Sequence, residues 1–103
     1  MTDNANTPQA RRIWAVIAEP GKPCRLESIE NTLENYQRLV GGYFEQVYIA
    51  PGVTAVVDEE GRMTGKPETM FGLVGTIVFV GINDEDFTDL PSEARQMLMG
   101  RAE

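Results

Sequence analysis

Between Asp58 and Lys66 the chain crowds three carboxylates, Asp58, Glu59 and Glu60, against two cations, Arg62 and Lys66, around Gly61 and Gly65. Core packing does not require such a mixture, whereas exposed loops use it for recognition. A phosphate loop would need four residues between its glycines and a Ser or Thr after its lysine. Here three residues separate Gly61 from Gly65, and Pro67 follows Lys66. Arg62 and Lys66 are therefore candidates for holding an anion, but not in a nucleotide cradle. Glu59 and Glu60 would serve acid–base chemistry only with shifted pKa values. Neighbours at a hairpin tip point apart and stay wet, which denies them that shift.

A second candidate is Gly41-Gly42-Tyr43, since successive glycines let backbone N–H groups approach an anion. The preceding residues read as a helix, whose C-terminal dipole end is negative and opposes that use, so a tight helix-to-strand reversal is the simpler reading. Asp84, Asp86 and Thr88 match the first ligand positions of a calcium loop. The match fails where Asp89 stands for the required Gly and Arg95 for the bidentate Glu. The chain has no histidine and one cysteine, Cys24. Ser-His-Asp and Cys-His catalysis and Cys/His zinc sites are thereby excluded, as is an internal disulfide. The reading is of a non-enzyme with no catalytic residue, no metal ligand and no cofactor.

At 103 residues and 42% hydrophobic, the chain suits one domain. Its net charge of -7 and its two lysines, Lys22 and Lys66, argue against direct nucleic-acid binding, which needs clustered cations. The polar residues 1–10 have the composition of a disordered tail, leaving a single domain over 11–103. They lack the charged and apolar regions of a leader, and the longest apolar run falls short of the ~20 residues of a membrane span. A cytoplasmic protein that does not engage membranes is expected.

These residues must be positioned by a few elements. Arg12 to Ala18 reads as a strand covered on both faces. Leu26, Ile29, Leu33, Tyr36 and Val40 recur at spacings of three and four, which predicts one helix with Ser28 as its cap and Gly41 or Gly42 as a left-handed terminator. Tyr43 to Ile49 and Val53 to Val57 predict a hairpin joined by a type II turn at Pro51-Gly52, with Gly61 at positive φ beyond it. Phe71 to Val80 reads as the last long strand, with Gly75 a bulge or close-approach site, and Asn83 to Asp86 as an acidic loop. Pro91 to Met99 predicts a terminal helix capped by Asp89 and stopped by Gly100. The predicted fold is α+β: a small, mostly antiparallel sheet of three to four strands, one main helix packed on it and a short C-terminal helix.

The order Val40-Gly41-Gly42-Tyr43-Phe44-Glu45, then Val57-Asp58-Glu59-Glu60-Gly61-Arg62-Met63 and Gly65-Lys66-Pro67, then Val74-Gly75-Thr76-Ile77-Val78-Phe79-Val80-Gly81, resembles a domain-of-unknown-function family, number 3846. The family's usual Asn-Glu-Glu-Gly-Lys at the hairpin tip is Asp58-Glu59-Glu60-Gly61-Arg62 here. The resemblance covers about Ile13 to the terminal helix and implies a bacterial, phage or mobile-element setting, with no catalytic residue to carry over. The expected function is a non-enzymatic binding module that engages a host protein or small ligand through Gly41, Gly42, Tyr43, Asp58, Glu59, Glu60, Arg62 and Lys66. Charge reversal at Arg62 and Lys66 is expected to leave the fold intact. The alternative is an acidic nucleic-acid mimic that inhibits a host DNA-binding or defence protein. An exposed strand edge offers a route to a homodimer.

Overall fold

A computed structural model describes residues 12–101. The expectation of a disordered tail over residues 1–10 lies outside them. The chain runs β1 (Arg12–Ala18), β2 (Arg25–Glu30), α1 (Leu33–Val40), β3 (Phe44–Ala50), β4 (Val53–Asp58), β5 (Glu68–Met70), β6 (Leu73–Val74), β7 (Ile77–Asn83), β8 (Asp86–Thr88) and α2 (Ser92–Arg101). The fold is α+β as the sequence implies, but the main sheet has six strands rather than three or four. Its order is β2-β1-β7-β4-β3, with β8 beside β7 and every pairing antiparallel. The short β5–β6 hairpin is a separate small sheet.

The central strands are apolar almost without interruption because both faces are covered. Side chains alternate along each strand. On one face Ile13, Ala15, Ile17, Val56, Val78 and Val80 pack under Tyr36 and Val40 of α1. On the other, Val16, Ala55, Val57, Ile77 and Phe79 pack with Leu98 of α2, while Met70 and Leu73 of the β5–β6 hairpin close over them. The molecule is thus three-layered, with α1 on one side of the sheet and α2 plus the small hairpin on the other. Phe79 and Ile17 are wholly buried, each contributing about 1.5–3 kcal/mol relative to exposure.

The predicted first helix is really two elements. Arg25–Glu30 is an edge strand paired to β1, with Ile29 opposite Ile13 and Leu26 opposite Val16. The helix starts only after Thr32, whose Oγ1 accepts from the Asn35 amide at 3.2 Å, so Thr32 and not Ser28 is the cap. Ser28 instead lies opposite Trp14 and accepts from the Arg12 guanidinium. Eight residues make a marginal helix in isolation, and α1 persists because Tyr36 and Val40 are buried. The Tyr36 hydroxyl donates to Asn31 Oδ1 at 2.7 Å, and Asn35 Nδ2 donates to the Glu30 carbonyl at 2.9 Å. Burial pushes the Tyr36 phenol well above its ordinary range.

Four further expectations are corrected. The stretch from Phe71 to Val80 is broken: Phe71 (φ 57) and Gly72 (φ 72) turn β5 into β6, and Gly75 (φ 72) separates β6 from β7. The acidic loop shrinks to a turn at Asp84, which is at φ 58, because Asp86–Thr88 pairs back on β7. Asp89 does not cap the terminal helix: its Oδ1 accepts from the Trp14 amide of β1 at 2.8 Å, and the next amide, of Leu90, donates to the Trp14 carbonyl at 2.9 Å. That crossing requires Gly81, where a Cβ would sit 2.3 Å from the Asp89 carbonyl oxygen. The helix that follows runs through Gly100 to Arg101 instead of stopping before it.

Candidate functional site

The two segments singled out by their residue types meet in space at the C-terminus of α1. Gly41, at φ 90, ends the helix as expected. Its amide and that of Gly42 both turn back to the Gln37 carbonyl, at 2.8 and 3.0 Å, so neither points at an anion. Lys66 reaches the same place from the opposite side. Its Nζ donates to the Val40 carbonyl at 2.8 Å and lies 2.7 Å from Asp58 Oδ2. The ammonium therefore meets the negative end of the helix dipole and the carboxylate at the end of β4 together.

The local sequence makes room for that reach. A Cβ on Gly75 would lie 2.9 Å from Lys66 Cδ, one on Gly41 3.1 Å from Lys66 Nζ, and one on Gly42 3.3 Å from Asp58 Oδ1. Of the two roles expected of Gly75, bulge or close approach, the second is the one observed, at a break between β6 and β7. Gly61 is not at positive φ; it is bare because a Cβ would come within 2.9 Å of Val74 Cγ2. Asp58 is buried at 8% exposure, and its Oδ1 accepts from the Glu60 amide at 2.9 Å. The Lys66 ammonium and the Glu60 amide hold the Asp58 carboxyl below the usual carboxylate range, against the opposing effect of burial.

Asp58 and Lys66 are consequently used inside the fold, and reversing Lys66 would set two carboxylates together at a buried position. The expectation that such a change leaves the fold intact is corrected on that ground. Glu59 and Glu60 remain exposed, as does Arg62, whose guanidinium donates to the Gly72 carbonyl and fastens the hairpin tip to the β5–β6 turn. Tyr43 is exposed beside them, its carbonyl accepting from the Glu59 amide at 3.0 Å.

Two clefts open on the α2 side of β3. A small one, about 80 Å³, is lined by Glu45, Val57, Glu59, Arg62 and Met63 among others. A larger one, about 370 Å³, lies between Ile49, Pro51 and Val53 of the β3–β4 end, Phe71, and Ala94 and Met97 of α2. Sequence reasoning passed over this second cleft. Its one local signal is Phe71-Gly72, a bulky residue forced to positive φ ahead of a glycine, with its ring edge-on to Phe79 at 6.0 Å. Among the described residues, no group of three or more Cys, Asp or Glu side chains is placed to hold a metal, and no helix is long and apolar enough to cross a membrane.

A family profile described as Domain of unknown function (DUF3846) matches residues 13–103, and the chain belongs to that family. No curated protein and no solved structure matches the chain.

Proposed function

We propose that the chain is a non-enzymatic binding module that engages a partner protein on the β3 side of the molecule, in the cytoplasmic, phage or mobile-element setting suggested by its sequence. The observation that carries this reading is the exposure of Tyr43 (70%), Tyr48 (74%) and Met63 (83%) on and around one edge strand. Large side chains of this kind left in water favour contact with another macromolecule. Lys66, a candidate for holding an anion, is instead paired with Asp58. Mimicry of a nucleic acid draws less support. Glu19 is paired with Lys22 at 3.2 Å and Arg25 at 3.0 Å, and Glu27 with Arg25, so part of the acidic surface is locally neutralised.

The test is affinity capture from a host lysate by the parent and by a Tyr43→Ser, Met63→Ser variant with an unchanged melting temperature. Loss of a captured protein in the variant supports the reading. Identical capture by both, or none by either, removes it.

A further inference from the structure

Resting on the reading of a protein-binding module, we infer that β3 accepts an extended segment of its partner as an added strand, and that this segment carries a basic residue and a large apolar residue four positions apart. β3 closes one end of the main sheet, and among the described residues no strand pairs with its outer edge. The other end is differently protected: β2 carries Arg25 tied to both Glu19 and Glu27, a charged rim of the kind that discourages strand addition.

The layer over the α2 face is incomplete beside β3. The β5–β6 hairpin and α2 leave a cleft at each end, one lined by Glu45 and the other by Ile49, with the half-buried Val47 between them. Glu45 and Val47 stand opposite Val57 and Ala55 of β4 and face this side; a β-bulge then follows, so that Ala50 and not Ile49 stands opposite Val53. On the unbulged β4 the two cleft residues, Val57 in the small cleft and Val53 in the large one, are four apart, while their β3 partners Glu45 and Ala50 are five apart because of the extra residue. A regular strand laid along β3 keeps the period of β4, so side chains on its first, third and fifth residues meet small cleft, Val47 and large cleft in turn, with the β3 bulge beside the last.

The clefts differ in chemistry. Glu45 and Glu59 line the small one against the single guanidinium of Arg62, since Asp58 is already matched by Lys66. Its excess is negative, in a chain of net charge -7. A Lys or Arg fits there. The large cleft is walled by Ile49, Pro51, Phe71 and Met97, and takes a Phe, Leu or Met. Main-chain hydrogen bonds to β3 would supply affinity, and the two clefts would supply selection.

The probes are synthetic peptides with blocked ends. Thr-Lys-Thr-Val-Thr-Phe-Thr and its reversed order, Thr-Phe-Thr-Val-Thr-Lys-Thr, serve the two strand directions. Thr-Lys-Thr-Val-Phe-Thr-Thr has the same composition with Phe moved to the opposite face. One of the first two is expected to bind at least about tenfold more tightly than the shifted peptide, and to lose about tenfold on Glu45→Lys or Met97→Glu. Both positions are exposed or surface-lining, and unchanged melting temperatures would verify the fold. Binding should also slow amide exchange along Phe44–Ala50, and N-methylation of alternate peptide amides should abolish it in one of the two phases. Equal binding by in-phase and shifted peptides, no binding by either order, or binding without protection of β3 would overturn strand addition. So would a parent chain that is already a dimer broken by Glu45→Lys, because a second copy would then own this edge. If peptides fail while lysate capture still depends on Tyr43 and Met63, strand addition falls and the binding module stands. If capture is also independent of them, both fall.

Discussion

Replacing Lys66 by Met keeps most of the stem that passes Gly75 but removes the ammonium. Asp58 is then a carboxylate at 8% exposure with the Glu60 amide as its remaining partner, and the Val40 carbonyl loses its donor. At 2.7 Å and an effective dielectric of about 20, the direct attraction is worth roughly 6 kcal/mol before desolvation is subtracted. Breaking a fully buried pair typically costs about 3–5 kcal/mol. Lys66 is 30% exposed on its side chain, so solvent screens part of this, and about 2–3 kcal/mol is expected. In a domain of this size that is a fall in melting temperature of roughly 10–20 °C. Asp58→Asn should cost only about 1 kcal/mol, since an amide oxygen still accepts from Lys66 and Glu60. The double variant should therefore be less damaged than the sum by about 1–2 kcal/mol.

Urea unfolding of the four proteins, followed by circular dichroism, measures the cycle. Its pH dependence supplies a second check. Asp58 has a depressed pKa in the folded state, chiefly through the Lys66 hydrogen bond, so the unfolded chain takes up the proton first. The stabilisation is complete above the unfolded-state value of about 3.9 and is lost as pH falls through the lower folded-state value. The gap between parent and Lys66→Met should accordingly narrow in acid. A coupling no larger than about 0.5 kcal/mol, the scatter of independent sites, would refute the claim that the pair ties β4 to the end of α1.

Gly41→Val should destabilise by more than about 1 kcal/mol in thermal melts, since φ 90 resists a β-branched residue and the new Cβ would press on Lys66 Nζ at 3.1 Å. Gly81→Ala should cost about 2 kcal/mol or more and loosen the crossing to β1, read as faster exchange of the Trp14 and Leu90 amides, because its Cβ would stand 2.3 Å from a backbone oxygen. Chelator or added calcium should leave the melting temperature unchanged, as a site selective for the folded state would raise it by mass action. A shift of several degrees would mean that the Asp84 turn binds an ion.

What was legible in the sequence was chemistry that acts within a few residues. Gly41 ends α1, and Pro51-Gly52, with Gly52 at φ 76, turns β3 into β4, because each requires only a local backbone state. Leu26 and Ile29 misled for a related reason: a spacing of three suits one helix face, yet in β2 it puts Leu26 on the α2 face and Ile29 on the α1 face. The punctuation that separates strand from helix was present in Asn31-Thr32, whose side chains bind Tyr36 and Asn35, but Ser28 competed as a cap. β8 escaped notice because three residues carry almost no periodicity and pair only once β7 exists. At the candidate site the residue types were legible and their use was not. Asp58 and Lys66 share one segment, but the end of α1 that completes their site lies well before it in the chain, and only folding decides that two of the most conspicuous charges neutralise each other there. That closure leaves Glu59, Glu60 and Arg62 as the exposed charges of the tip, next to the outer edge of β3 and two clefts of unlike chemistry.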